Sequence, residues 1–344
     1  MATSMVTSHA LAILRFGRST GNCRGKVIVE LNQRAGVLCQ RLLDEAASLR
    51  VALAEDSPAN VRRIDCGINV AGGLDAGRRL TEICLAGLAQ VELLPGDPSI
   101  WPGTTVQVRT DHPVEACMAS QYAGWEVKGD DFFAMGSGPM RAAAGREPIF
   151  DTIGHREQPE LAVGVLESGR LPPADVCREI AERCGVDPGR LTLLVAPTSS
   201  QAGTVQVVAR SVETALHKLF ELGFDLTRVE SGIGVAPLPP VAADDLTGIG
   251  QTNDAILYGG QVTLYVHGDD ASLADIGARV PSCASADHGR PFAKIFEQSG
   301  HDFYKIDPAL FSPAVVQFVN LDTGRYHCFG HTLPRVIHES FGGA

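Results

Sequence analysis

Short apolar runs alternate irregularly with amphipathic stretches from Leu31 to the C-terminal region, and this alternation constrains the fold most. Leu161–Leu166 and Leu191–Val195 are apolar at nearly every position, the pattern of buried strands. Val91–Leu94, Val106–Thr110, Ala314–Asn320, Tyr326–Phe329 and a short segment ending at Ile64 also read as strands. Between them, helical spacing of apolar residues predicts helices over 31–54, 77–89, 113–124, 173–184, 211–222, 271–280 and 292–298. Pro172 and Pro173 suit the first turn of one, and Gly185 stops it. Asp130–Pro139 and the Gly/Pro-rich Gly232–Pro240 read as loops, Pro197–Ala202 as a turn and Val205–Ala209 as a strand or extended entry. Ala255–Tyr258 and Val262–Val266 read as a hairpin across Gly259-Gly260. The pattern predicts an α+β fold of mixed sheets with packed helices, not a regular doubly wound sheet. Its 344 residues suggest about two domains.

Charge and composition narrow the function. Twenty-nine basic residues against forty acidic give a net of −11, which disfavours a nucleic-acid partner. No apolar run approaches the ~18 residues of a membrane span. Residues 1–29 hold Arg15, Arg18, Arg24 and Lys26 without an acid, and read as a dispensable extension or a targeting segment. The nine cysteines form no C-x-x-C and are odd in number, as expected in a reducing cytoplasm.

No P-loop, nucleophile elbow or complete dinucleotide-binding loop occurs, although Gly136-Ser137-Gly138 and Gly232-Ile233-Gly234 each begin like the last. His327 and His331 flank Cys328 at zinc-like spacing, but no second ligand pair stands nearby, so no metal is expected. His112 reads either as a catalytic imidazole or as a structural hydrogen-bonder. The helix beginning at Ser211 is more informative. At about 100° per residue, Val212, Leu216 and Leu219 share one face, while Arg210, Glu213 and His217 share another. Spacing alone leaves two readings of Arg210 and Glu213. One is a surface ion pair worth at most about 1 kcal/mol. The other is a base whose ionisation the guanidinium tunes.

In order along the chain stand Ile64-Asp65-Cys66-Gly67, Ala71-Gly72-Gly73, Thr110-Asp111-His112-Pro113, Phe133 to Pro139 (FAMGSGP) and Cys184-Gly185-Val186-Asp187-Pro188. Leu194 to Thr198 (LVAPT), Ala209-Arg210, Val212-Glu213-Thr214, Thr252-Asn253-Asp254, Gly289-Arg290-Pro291-Phe292 and Phe303 to Pro308 (FYKIDP) follow. Through these strings the chain resembles the methenyltetrahydromethanopterin cyclohydrolase family from about Leu31 to Phe341. The resemblance implies reversible hydrolysis of the methenyl bridge of tetrahydromethanopterin to the N5-formyl derivative, in formaldehyde oxidation or methane metabolism. It also implies a homotrimer, a pterin one-carbon carrier as small-molecule partner, no cofactor and no metal. Its catalytic Arg and Glu match Arg210 and Glu213.

The expected organisation is an extension over 1–30, a discontinuous first domain of 31–105 plus 268–344, and a second domain of 106–267 carrying the Arg210/Glu213 helix. The active-site cleft is expected between the two domains. Partial burial is expected to raise the Glu213 pKa and Arg210 to oppose that rise. Gly136, Ser137, Gly138, Thr198, Ser199 and Ser200 are candidates for carrier binding through backbone N–H groups and hydroxyls. Asp111, His112 and Asp254 are candidates for hydrogen bonds to the pterin ring. Two rivals stay open: a non-catalytic pterin-binding protein, and the same chemistry on a folate carrier.

Overall fold

The computed structural model describes residues 29–300, 302 and 305–342. All but the last two residues of the expected extension, and Phe303-Tyr304, lie outside the described residues.

Two six-stranded mixed sheets organise the chain. The first contains β1 (Ala52–Leu53), β2 (Arg62–Asp65), β5 (Trp125–Gly129), β6 (Phe132–Ser137), β7 (Ala162–Glu167) and β8 (Leu191–Ala196), in the order β1-β2-β8-β7-β6-β5. β8 runs parallel to both β2 and β7, and the other pairs are antiparallel. The second contains β3 (Ala89–Pro95), β4 (Thr104–Thr110), β9 (Val229–Pro237), β10 (Gln261–Val266), β11 (Val315–Asn320) and β12 (Tyr326–Gly330), in the order β12-β11-β10-β9-β4-β3. Here β10 and β11 are the parallel pair. The α+β architecture expected from the alternation is the one observed.

The helices divide with the sheets. Around the first lie α1 (Leu31–Asp44), α2 (Ala46–Leu49), α3 (Leu74–Cys84), α4 (Met140–Ala144), α6 (Ala174–Cys184) and α7 (Gln201–Val208), whereas α5 (Ile149–Ile153) buries Ile149, Phe150 and Ile153 in the core of the second sheet. Leu42, Leu80 and Ala202 pack with Ile64, Val163 and Leu194 on one face of that sheet. Met140 and Ile180 pack with Leu166 and Leu193 on the other. Against the second sheet lie α8 (Ser211–Glu221), α9 (Asp245–Gly259), α10 (Asp270–Gly277), α11 (Phe292–Gln298), α12 (Pro334–Phe341) and a π-helix over Val114–Gln121. The sheets do not follow the expected division at 105/106 and 267/268. β2 belongs to one sheet and β3 to the other, and β4 spans residue 105.

Five segments differ from the sequence reading. Val205–Val208 belongs to helix α7, with Ala209 as its C-cap, instead of a strand or extended entry, despite three valines. The Ser200 hydroxyl caps that helix, accepting from Gly203 N at 3.0 Å, and packing on α3 overrides the β-propensity. Ala255–Tyr258 is not a hairpin strand but the last full turn of α9. That helix is capped by Asp244, which accepts from Thr247 N at 2.8 Å. Much of the expected loop Asp130–Pro139 is strand β6. Gly232–Pro240, also expected as a loop, begins with six residues of β9, between β4 and β10. A Cβ at Gly232 would sit 2.9 Å from Val212 Cγ1, and one at Gly234 would collide with Ser211. These glycines let α8 lie close on the sheet, so they act through packing and not as turn residues. The predicted first helix is also shorter: it breaks at Glu45, and Arg50 turns the chain in a left-handed conformation (φ 56°) into β1.

Candidate active site

The site forms where the chain passes from one layer to the other. Helix α7 packs on the first sheet and α8 on the second, with Ala209 and Arg210 as the corner between them. β7 and β8 end side by side, Glu167 opposite Ala196. Carboxyl ends of parallel strands are where open sheets place ligands.

Arg210 is 5% exposed. Its Nη1 donates to the Gln121 carbonyl at 2.6 Å, and its Nη2 to Glu167 Oε1 at 2.7 Å and Ser137 Oγ at 3.2 Å. Three elements thus fix one guanidinium: the end of the π-helix, the end of β6 and the end of β7. π-Helical turns occur often at functional sites, because the extra residue redirects backbone groups. Burial works against the Arg210 charge, but Glu167 and its other acidic neighbours outweigh it and raise the pKa.

Glu213 lies in the first turn of α8, 5% exposed. Among the described residues its carboxylate takes no hydrogen bond and no ion pair. Burial pushes it up to about 7, against the pull of Arg210 and Arg141, and Glu167 adds to the rise. The surface-pair reading of Arg210 and Glu213 therefore fails: both are buried, and the ion-pair partner of Arg210 is Glu167. Arg141 is wholly enclosed and also has its own partner. It forms a two-point pair with Glu147 and donates to the Met118 carbonyl at 2.8 Å. Its guanidinium lies 4.8 Å from the Tyr122 ring centre, and Tyr122 stacks on His217 at 4.6 Å. Burial, with Glu213 adding, pushes the Tyr122 phenol up to about 12, and burial lowers the His217 imidazole.

The other expected site residues divide. Ser137 is a direct partner of Arg210, with Gly136 and Gly138 beside it. Gly138 adopts φ 89° and donates its N–H to the Ser120 carbonyl at 2.9 Å. Thr198, Ser199 and Ser200 form the turn after β8, adjacent to the Glu167 end. Ser199 donates from both N and Oγ to Asp245 Oδ1 at the start of α9, and Ser200 caps α7. Asp111, His112 and Asp254 do not join this network. Asp111 accepts from Ser231 Oγ at 2.8 Å, and both Asp111 and His112 are exposed. They line a separate depression of about 680 Å³ with Arg34, Arg109 and Tyr265. Asp254 is buried in α9 and accepts the Phe292 N–H that opens α11, at 2.8 Å. Among the described residues no group of three or more His, Cys, Asp or Glu is placed to hold a metal. His327 pairs with Asp270 at 2.9 Å, while His331 faces His288.

Sequence reasoning did not single out Glu167, Gln121, Arg141 or Glu147. Glu167 carried a usable signal, an acid directly after the apolar run Leu161–Leu166, where a buried strand delivers its last side chain.

A buried carboxylate that takes no hydrogen bond among the described residues and is pushed up to about 7, beside an arginine tied to the end of β7, is the kind of group that marks a candidate proton-transfer site. The chain belongs to the cyclohydrolase (MCH) family, whose model matches residues 30–341. It is 49% identical over 343 residues to the methenyltetrahydromethanopterin cyclohydrolase of Xanthobacter autotrophicus, covering 99% of each chain. It is 50% identical over 289 residues to that of Rhodopirellula baltica, covering 83% of this chain and 87% of that one. With that of Methanococcoides burtonii it shares 39% over 319 residues, 92% of this chain and 99% of that one. Among the described residues, no helix is long and apolar enough to cross a membrane.

Proposed function

We propose that this chain hydrolyses the methenyl bridge of methenyltetrahydromethanopterin, reversibly, to the N5-formyl derivative, with Glu213 as general base and then general acid. One observation carries the assignment of roles: Glu213 is buried beside Arg210, has no hydrogen-bond or ion-pair partner among the described residues and is pushed up to about 7.

The methenyl carbon bridges N5 and N10 as an amidinium-like cation, already electrophilic. Ionised Glu213 takes a proton from water as the oxygen bonds to that carbon, giving a carbinol and neutral Glu213. The acid then passes its proton to N10 as the C–N10 bond breaks. The carbinol O–H proton leaves through Glu213 to solvent, and the oxygen becomes the formyl carbonyl. The balance is one water consumed and one proton released. Such general acid–base help is worth roughly 10²–10⁴ in rate, and is largest when the group's pKa lies near the working pH. Arg210 orients the water and stabilises the oxygen as it gains charge. Ser137, with the backbone of Gly136 and Gly138, and the Thr198–Ser199 turn border the space where the carrier sits. The reading includes a cytoplasmic homotrimer.

Loss of the methenyl absorbance band on adding purified protein tests the activity. Rapid loss with methenyltetrahydromethanopterin is expected, and slower loss with the methenyl folate. No acceleration above the uncatalysed rate with either carrier would overturn the enzymatic reading, and faster folate turnover would reassign the carrier.

A further inference from the structure

Two arginines act on Glu213, and each is already held by a different carboxylate: Arg210 by Glu167 at 2.7 Å, Arg141 by Glu147. Two cations therefore meet three acids, and Glu213 is the acid left over. We infer that Glu167 is a positioning residue for this reaction: by holding the Arg210 guanidinium to the end of β7, it keeps Glu213 from becoming a salt bridge and so keeps it a working base.

The geometry supports this division of labour. Arg210 and Glu213 are three residues apart across the start of α8, a spacing at which side chains meet easily. No ion pair forms between them, because Nη2 is drawn to Glu167 and Ser137 and Nη1 to the Gln121 carbonyl. A carboxylate bound directly to a guanidinium is held ionised and is a weak base. With Arg210 fixed by Glu167, its charge stays near the reacting atoms while its strongest hydrogen bond is directed elsewhere. The titratable groups around Glu213 are Arg210 at the helix corner, Arg141 on α4, Glu167 on β7, Tyr122 and Cys117 of the π-helical segment, and His217 on α8 itself. Glu167 raises the proton affinity of Glu213 directly by its charge and indirectly by engaging Arg210.

This inference rests on the proposed acid–base role of Glu213, and its test separates the two. In Glu167→Gln the guanidinium loses its counter-charge and becomes free to turn to Glu213. The acid limb of the kcat/KM profile should then move to lower pH by about one unit. The plateau rate should fall about tenfold, as expected of a weaker base, with KM changed less than about threefold. A readout without substrate runs alongside. In protein labelled at glutamate carboxyl carbons, the resonance missing from Glu213→Gln should titrate near 7 in the parent and about one unit lower in Glu167→Gln. If Glu167→Gln does not fold, Glu167→Asp, one methylene short of Nη2, should move the titration the same way by less. An unmoved titration and acid limb, with only a uniform loss of rate, would overturn the inference and leave Glu167 structural. A parent protein that titrates as described but hydrolyses neither carrier would overturn the proposed function instead.

Discussion

Glu213 and Asp254 are both buried acids pushed up to about 7, chiefly by burial, yet they sit in opposite kinds of surroundings. Asp254 lies inside the helical packing of α9, α11 and α12. Its Oδ1 takes the Phe292 N–H, and Ser340 stands beside it. Glu213 takes no hydrogen bond among the described residues and feels the charges of Arg210 and Arg141 at the junction of the two sheets. The proton affinities match, but only Glu213 combines a raised pKa with nearby fixed positive charge and the ends of parallel strands. A perturbed acid marks a candidate, and its neighbours decide whether it is a clamp or a base.

The contrast breaks first under substitution of each acid by its amide. Glu213→Gln should lower the rate of methenyl loss by at least about 100-fold, and Asp254→Asn should leave it within about twofold of the parent. Comparable losses in both would erase the distinction.

The seat of α8 gives the next largest effect. Gly234→Ala forces a methyl group against Ser211, at the start of the helix that presents Glu213. It should destabilise the protein by about 1–3 kcal/mol, as overpacking does, and lower turnover in proportion to the displacement of that first turn. Denaturant unfolding and the absorbance assay read the two consequences together. The same change at Gly189, where an added Cβ meets nothing within 4 Å, should do neither.

The smallest effect is on the pH dependence of stability. Both acids have folded-state pKa values raised above their ordinary values of 4.5 and 3.8. Between the ordinary value and about 7 the folded state holds a proton that the unfolded state has lost, so stability falls as pH rises through that window. Each contribution is fully present below the ordinary pKa and gone above about 7. Glu213→Gln and Asp254→Asn should each flatten the Tm curve between about pH 4 and 7. An unchanged slope in either variant would mean that the acid is ionised well below neutrality.

The sequence carried the working face of α8 plainly. Helical spacing set Val212, Leu216 and Leu219 toward the core, where they lie buried, and placed Glu213 and His217 together on another face. It also implied the contest between burial and Arg210 at Glu213. The partner of Arg210 was less legible, because Glu167 is 46 residues from Glu213 in sequence and reaches it only through the pairing of β7 with β8. The misread elements share a cause. Short apolar or Gly-rich runs such as Val205–Ala209 and Gly232–Pro237 fit helix, strand or loop locally, and their contacts decide. Gly232 and Gly234 look like turn residues and are instead the space into which α8 settles.

In the proposed mechanism one carboxylate, Glu213, without a partner among the described residues, handles the protons of methenyl hydrolysis. The most direct measurement is the pH profile of kcat/KM for methenyl loss in the parent and in Glu213→Gln. The account predicts an acid limb near pH 7 in the parent, matching the site's proton affinity. It predicts a residual rate without that limb, lower by at least about 100-fold, in the variant. A variant that keeps both the limb and near-parental turnover would contradict it.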